Sequence, residues 1–253
     1  MPREAFSVHV LEGMPSVEAG SDLAELILGA MGRSGSRLRD GDILAVCHKI
    51  VSKSEGRLIR LSGVVPGPQA RTLATTTGKA PELCEVILSE SREVLRQRKD
   101  LVITRNRLGH VVANAAVDQS NTGLEDAALL LPEDPDASAQ NLRAALEQRS
   151  GCVIGVIITD SFGRAWRIGT LGVAIGQSGP PAWLDQRGER DLYGRELRST
   201  MPAVADALAA AAVLVMGEAN EGTPVALIRG YSWVPGDARA ADTIRPERED
   251  LFT

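Results

Sequence analysis

Two short, almost unbroken apolar runs constrain the fold more than anything else in the chain. Ile43-Leu44-Ala45-Val46-Cys47 and Val153-Ile154-Gly155-Val156-Ile157-Ile158 are short for core helices, and neither has the polar face of a half-solvated strand. They read as buried-type strands, the first introduced by the turn Asp40-Gly41-Asp42. Such strands need other elements packed over them, so the chain folds in layers. Its 253 residues suffice for that core, as one large domain or two small ones. With aromatics at 3%, the core is built mostly from Val, Leu, Ile and Ala.

Other segments carry weaker signals. Phe6, Val8 and Val10 alternate with Ser7 and His9 as a short strand, followed by a loop over residues 12–15. Ser21 is a candidate N-cap for a helix that Gly32 would stop near Met31. Residues 67–98 read as mostly helical, with a break at Gly78 and Pro81. Residues 101–104 and 110–113 suggest a hairpin around Leu108-Gly109. A Pro/Asp-rich linker over 132–137 leads into a helix over 138–148. The Gly- and Arg-rich stretch 161–200 contains a strand-like segment at 171–175. An Ala-rich helix over 202–214, a last strand over 225–228 and a mobile polar tail after Pro235 complete the reading. Strands and helices lack a regular βαβ alternation. The predicted class is therefore α+β, with mixed or antiparallel sheets and packed helices.

Composition excludes several function classes. A net charge of -5 argues against a general nucleic-acid binder, although Arg164 and Arg167 are compatible with a local basic cleft. Cys47, Cys84 and Cys152 are odd in number and widely spaced, which is neither a disulfide framework nor a zinc motif. In apolar surroundings they read as small buried hydrophobes in a reducing compartment. The longest membrane candidate, 203–216, contains Asp206 and falls short of the roughly 18 residues a span needs. No signal-peptide pattern opens the chain, so a cytoplasmic protein without a membrane partner is expected.

Four segments could carry chemistry. In Asn114-Ala115-Ala116-Val117-Asp118-Gln119-Ser120-Asn121-Thr122-Gly123, Asp118 and Asn121 could meet one ligand together, or the segment could be a capped turn. In Thr159-Asp160-Ser161-Phe162-Gly163-Arg164-Ala165-Trp166-Arg167, an acid ends an apolar strand. Asp160 and Ser161 are hard oxygen donors of the kind Mg²⁺ or Mn²⁺ prefers, and the arginines suit carboxylate or phosphate. A loop with solvated charges is the competing reading. In His48-Lys49-Ile50-Val51-Ser52-Lys53, the lysines could bind phosphate or simply be solvated; the P-loop pattern is absent. In Met216-Gly217-Glu218-Ala219-Asn220-Glu221-Gly222-Thr223-Pro224, Glu218 or Glu221 could ligate metal and the glycines could admit a phosphate, unless the segment is only a polar connector. No Ser-His-Asp triad, Gly-x-Ser-x-Gly elbow or Gly-x-Gly dinucleotide signal is present.

Taken together and in order, these segments resemble the F420 gamma-glutamyl ligase family, the coenzyme F420-0:L-glutamate ligases in their stand-alone form. The resemblance covers roughly residues 8–233. It also draws on Asp191-Leu192-Tyr193-Gly194-Arg195 and Arg229-Gly230, and is most specific at Thr159–Arg164. It implies an α+β ligase unit over 1–253, one unit or two interleaved subdomains, without the flavin-binding domain that some relatives carry after it. It implies a homodimer that takes GTP, F420-0 and L-glutamate, with two Mg²⁺ or Mn²⁺ ions per site. Asp118 and Asp160 correspond to ligands of one ion, Ser161 and Glu218 to ligands of the second, with Glu221 as the substitute for Glu218. Met14, Pro15, Ser16 and Val17, with His48, Lys53, Asn121, Gly217, Glu221 and Gly222, correspond to nucleotide contacts. Asp160 is the catalytic centre, and Arg164 and Arg167 are candidates for an anionic substrate on charge alone. Another nucleotide-dependent amino-acid ligase, or a non-catalytic nucleotide-binding protein, are the alternatives.

Overall fold

The computed structural model describes residues 5–251. Its first half contains β1 (Ser7–Val10), α1 (Leu23–Arg33), β2 (Ile43–Cys47), α2 (His48–Ser54), β3 (Leu58–Arg60), α3 (Pro68–Thr77) and α4 (Pro81–Ser89). There follow β4 (Ser91–Arg98), β5 (Leu101–Asn106), β6 (Val111–Ala113), β7 (Ala127–Leu129) and α5 (Pro135–Ser150). The chain continues through β8 (Gly155–Arg164), β9 (Arg167–Ser178), α6 (Val204–Met216) and β10 (Val225–Arg229). The main sheet has the order β1-β10-β2-β8-β9, with β2 and β8 parallel and the other neighbours antiparallel. A β3-β7 pair and an antiparallel β4-β5-β6 sheet flank it. The predicted α+β class with mixed and antiparallel sheets holds.

The two apolar runs lie side by side at the centre of the main sheet, as β2 and the first half of β8. Successive side chains of a strand point to opposite faces, so each run feeds two layers. Leu44, Val46, Val156 and Ile158 pack with Ile27 and Met31 of α1 and Leu142 and Leu146 of α5. Ile43, Ala45 and Ile157 face α6 and join Leu208, Ala209 and Ala212. The α6 side is lined with small residues, which brings the helix close. A Cβ at Gly172 of β9 would lie 2.6 Å from the Ala209 carbonyl oxygen. A third apolar cluster, including Leu73, Ile87, Val102 and Val117, joins α3 and α4 to the smaller sheets.

Several expectations change. Asp22, not Ser21, caps α1, its Oδ1 accepting the Glu25 amide at 3.0 Å, while Ser21 Oγ accepts the Glu18 amide. The helix passes Gly32 and ends at Arg33. Residues 91–98 form a strand rather than helix, because pairing with β5 decides the state of a half-exposed charged segment. The residues read as a linker start α5, with Asp134 as N-cap to the Ala137 amide and Pro135 in the first turn. Strand β8 does not stop before Asp160 but runs on to Arg164, so the Gly/Arg-rich stretch begins as a hairpin with β9 up to Ser178 and is loop only beyond it. The C-terminal segment is docked. Asp136 accepts the amides of Gln177, Ala240 and Ala241, and Gln177 Nε2 donates to the Ala238 carbonyl. Among the described residues no helix is long and apolar enough to cross a membrane.

Candidate active site

The topology brings one edge of the main sheet to a focus. β2 and β8 are parallel, so both carry their chains toward the same edge. β10 is antiparallel to β2 and begins there, and β1, antiparallel to β10, ends there. Backbone bonds from Cys47 to Pro224 and from Leu11 to Val225 tie these ends together. Four chain segments therefore meet: the loop after β1, helix α2 after β2, the middle of β8, and the loop between α6 and β10. With Asn121 from the stretch between β6 and β7, they enclose a cleft of about 440 Å³, lined also by Met14–Val17, Lys49, Lys53, Asp160, Ser161, Glu218 and Glu221. That is within the roughly 300–1,000 Å³ common for small-molecule sites. Ligand sites favour such an edge, where parallel strands deliver their carboxyl ends.

Local features aim individual groups. The β8–β9 register slips between Ile158 and Thr159, so Ile175 of β9 bulges opposite that step, just ahead of Asp160. A bulge twists a strand and re-aims the side chains that follow. The Ser161 amide donates to Asp160 Oδ1 at 2.7 Å, and His48 Nε2 lies 3.4 Å from the same oxygen. Asp118 ends a left-handed turn: Asn114, Ala115 and Ala116 have φ of 52°, 57° and 62°. Backbone bonds in both directions with Leu129 then fix the position of Asp118. Gly217, at φ 75°, ends α6, and a Cβ there would lie 2.3 Å from the Glu221 carboxyl carbon.

Most of the expected residues come together, but not all. Met14, Pro15, Ser16, Val17, Lys53, Asn121, Asp160, Ser161, Gly217, Glu218, Glu221 and Gly222 line the cleft. His48 does not; it is buried beneath it, with Nδ1 3.4 Å from Ser52 Oγ. Asp118 meets the cleft through Lys49, which lines it. Arg164 and Arg167 pair at the turn of the β8–β9 hairpin, outside the lining. Arg164 is three residues beyond Ser161, on the order of 10 Å along an extended strand. In sequence, Lys49 has no signal that separates it from its neighbours except its spacing of one helical turn from Lys53. Thr170, whose hydroxyl lies 2.9 and 3.1 Å from the two Glu218 oxygens, left no signal at all.

The electrostatics are those of an anion site beside hard oxygen donors. Burial alone would raise the Asp118 pKa, but the Lys49 ammonium and the Ser120 amide outweigh it and hold the carboxyl below its ordinary value. Desolvation and the neighbouring Lys49 lower the Lys53 pKa. Burial pushes the Cys47 thiol up to about 11, so it is no thiolate nucleophile near neutrality. Asp118, Asp160, Ser161 and Glu218 offer only oxygen donors, which suits Mg²⁺ or Mn²⁺. Among the described residues no three His, Cys, Asp or Glu side chains group closely enough to hold an ion by themselves. A Mg²⁺ site commonly uses one or two carboxylates and leaves the rest to water and substrate phosphates, so the donor set fits. Glu221 Oε2 accepts the Ala219 amide at 2.8 Å and caps its own loop, while Glu218 accepts the Thr170 hydroxyl.

Known proteins match this chain along most of its length. The family described as F420-0:Gamma-glutamyl ligase matches residues 13–230. A protein named coenzyme F420:L-glutamate ligase from Methanothermobacter thermautotrophicus is 47% identical over 250 residues, covering 98% of each chain. Proteins of the same name from Methanopyrus kandleri and Methanocaldococcus jannaschii are 48% and 44% identical. The first covers 93% of each chain; the second covers 85% of this chain and 86% of its own. The chain belongs to the F420-0:gamma-glutamyl ligase family.

Proposed function

We propose that this member of the family joins L-glutamate to coenzyme F420-0 at the expense of GTP, releasing GDP and phosphate. One observation carries the reading. Two lysines from α2, the Asp160-Ser161 pair of β8 and Glu218 face one cleft in a chain whose relatives bear that ligase name. Lysines at a strand end hold phosphate oxygens as point charges. Making an amide from a carboxylate and an amine requires the carboxylate to be activated. The terminal carboxylate of F420-0 attacks the γ-phosphorus of GTP; the bond from that phosphorus to the bridging oxygen breaks, so GDP leaves and F420-0 carries an acyl phosphate. The glutamate amine then attacks the acyl carbon, the bond to phosphate breaks, and the amine loses a proton.

This chain's residues supply position and charge. Lys49 and Lys53 hold the nucleotide phosphates, the Met14–Val17 loop closes one side, and Asn121, Gly217, Glu221 and Gly222 shape the other. Asp118 and Asp160 would hold one divalent ion, and Ser161 and Glu218 a second. Such ions neutralise phosphate oxygens as the phosphoryl group moves. Arg164 and Arg167 remain candidates for an anionic substrate that reaches out along the hairpin. The chain works as a homodimer in the cytoplasm, as the family resemblance implies. Phosphate release tests the reading. It is expected only with GTP, F420-0 and L-glutamate together. Release at the same rate without F420-0 or without glutamate would contradict it.

A further inference from the structure

Lys49 holds a position that a divalent ion would need. Its Nζ lies 2.7 Å from Asp118 Oδ2 and donates to Ser120 Oγ at 2.6 Å. Asp118 Oδ1 accepts the Ser120 amide at 2.6 Å, so both carboxylate oxygens already serve protein donors. One helical turn on, Lys53 Nζ donates to the Asn121 carbonyl at 2.7 Å. Helix α2 thus clips the loop carrying Asp118 and Asn121 with two ammonium groups. The Lys49 and Asp118 side chains are only 20% and 32% exposed, so water and salt screen the pair less than a surface pair.

We infer that Lys49 competes with a divalent cation for Asp118, so that this carboxylate takes a metal only once a polyphosphate in the cleft has drawn Lys49 away. The inference deepens the proposed function and rests on its assignment of Asp118 as a metal ligand. An ammonium and a divalent ion repel each other, and both need the same oxygens within contact distance. Lys49 also lines the cleft beside Lys53, where a polyphosphate offers more negative charge than one carboxylate. Moving Lys49 to the phosphates frees Asp118 Oδ2, while the Ser120 amide keeps Oδ1. A cation arriving there neutralises the same phosphates. Nucleotide and metal then favour each other's binding, and by linkage each does so by the same factor.

Calorimetric titration of Mn²⁺ into chelator-treated full-length protein tests this without turnover. Without nucleotide, Lys49→Met is expected to bind Mn²⁺ about tenfold more tightly than the unmodified chain, the scale on which a group touching a metal ligand changes affinity. Lys49→Arg, which keeps the cation, is expected to stay weak. Equal Mn²⁺ affinity in Lys49→Met and the unmodified chain would overturn the competition. A separate titration with the Mn²⁺ complex of a non-hydrolysable GTP analogue checks the premise. Asp118→Asn is expected to bind fewer Mn²⁺ ions; a full complement in that variant would refute Asp118 as a ligand and overturn the inference with it.

Discussion

Asp160 has few polar partners within the protein. Its carboxylate accepts from its own neighbour Ser161 and approaches His48 at 3.4 Å. Asn has the same size but lacks the charge, so Asp160→Asn is expected to keep the melting temperature. Turnover is expected to fall about a hundredfold or more, the scale of a lost several-kcal/mol charge contact. Full turnover with unchanged metal dependence would remove Asp160 from the centre of the site. Ala116 presents the opposite situation. Its φ of 62° costs an L-residue with a Cβ about 1 kcal/mol, which glycine avoids. Ala116 is only partly buried, so Ala116→Gly is expected to raise the urea midpoint, equivalent to a gain of up to about 1 kcal/mol. A lowered midpoint would show that the methyl group's packing outweighs the strain.

Elements differ in how far their sequence announces them. β2 and the start of β8 are legible because strands buried on both faces have little room for polar residues. β4 is not, since Ser91–Arg98 is charged and half-exposed and owes its strand state to β5. α2 is short, with no side-chain cap, and two lysines near a glycine look like a turn. The site shows the same division. Asp160 and Ser161 stand out as polar groups where an apolar run ends. Their meeting with Lys49, Asn121 and Glu218 depends on β2 and β8 being parallel neighbours, a long-range fact that no local pattern encodes. The segment after Pro235 looked mobile because its polar composition hides a partner about a hundred residues away, Asp136. Asp136→Ala is expected to raise amide exchange over residues 238–244 and at Gln177, the β9 amide that Asp136 also accepts, with little change in the rest of the main sheet. Unchanged exchange would mean that other contacts hold the segment. Where α6 meets β9, a Cβ at Gly172 would press against backbone and against Val213. Gly172→Ala is therefore expected to destabilise by about 1–3 kcal/mol, the usual range for overpacking. A denaturation midpoint equal to that of the unmodified chain would show that α6 shifts freely.

At the scale of the whole molecule, a layered sheet supplies rigidity and its converging edge supplies chemistry. The main sheet is covered by α1 and α5 on one face and α6 on the other, leaving the edge where four segments meet as the place for a ligand. The smaller sheets contribute the Asp118 loop, which Lys49 and Lys53 fasten to α2. The activity proposed for this cleft is GTP-dependent addition of glutamate to F420-0. The most direct test is mass spectrometry of F420-0 incubated with the protein, GTP, L-glutamate and a divalent metal. The expected product is heavier by one glutamyl residue or more, forms only when all components are present and is accompanied by GDP. Unmodified F420-0 alongside active, folded protein, or a product carrying another amino acid in preference to glutamate, would contradict it.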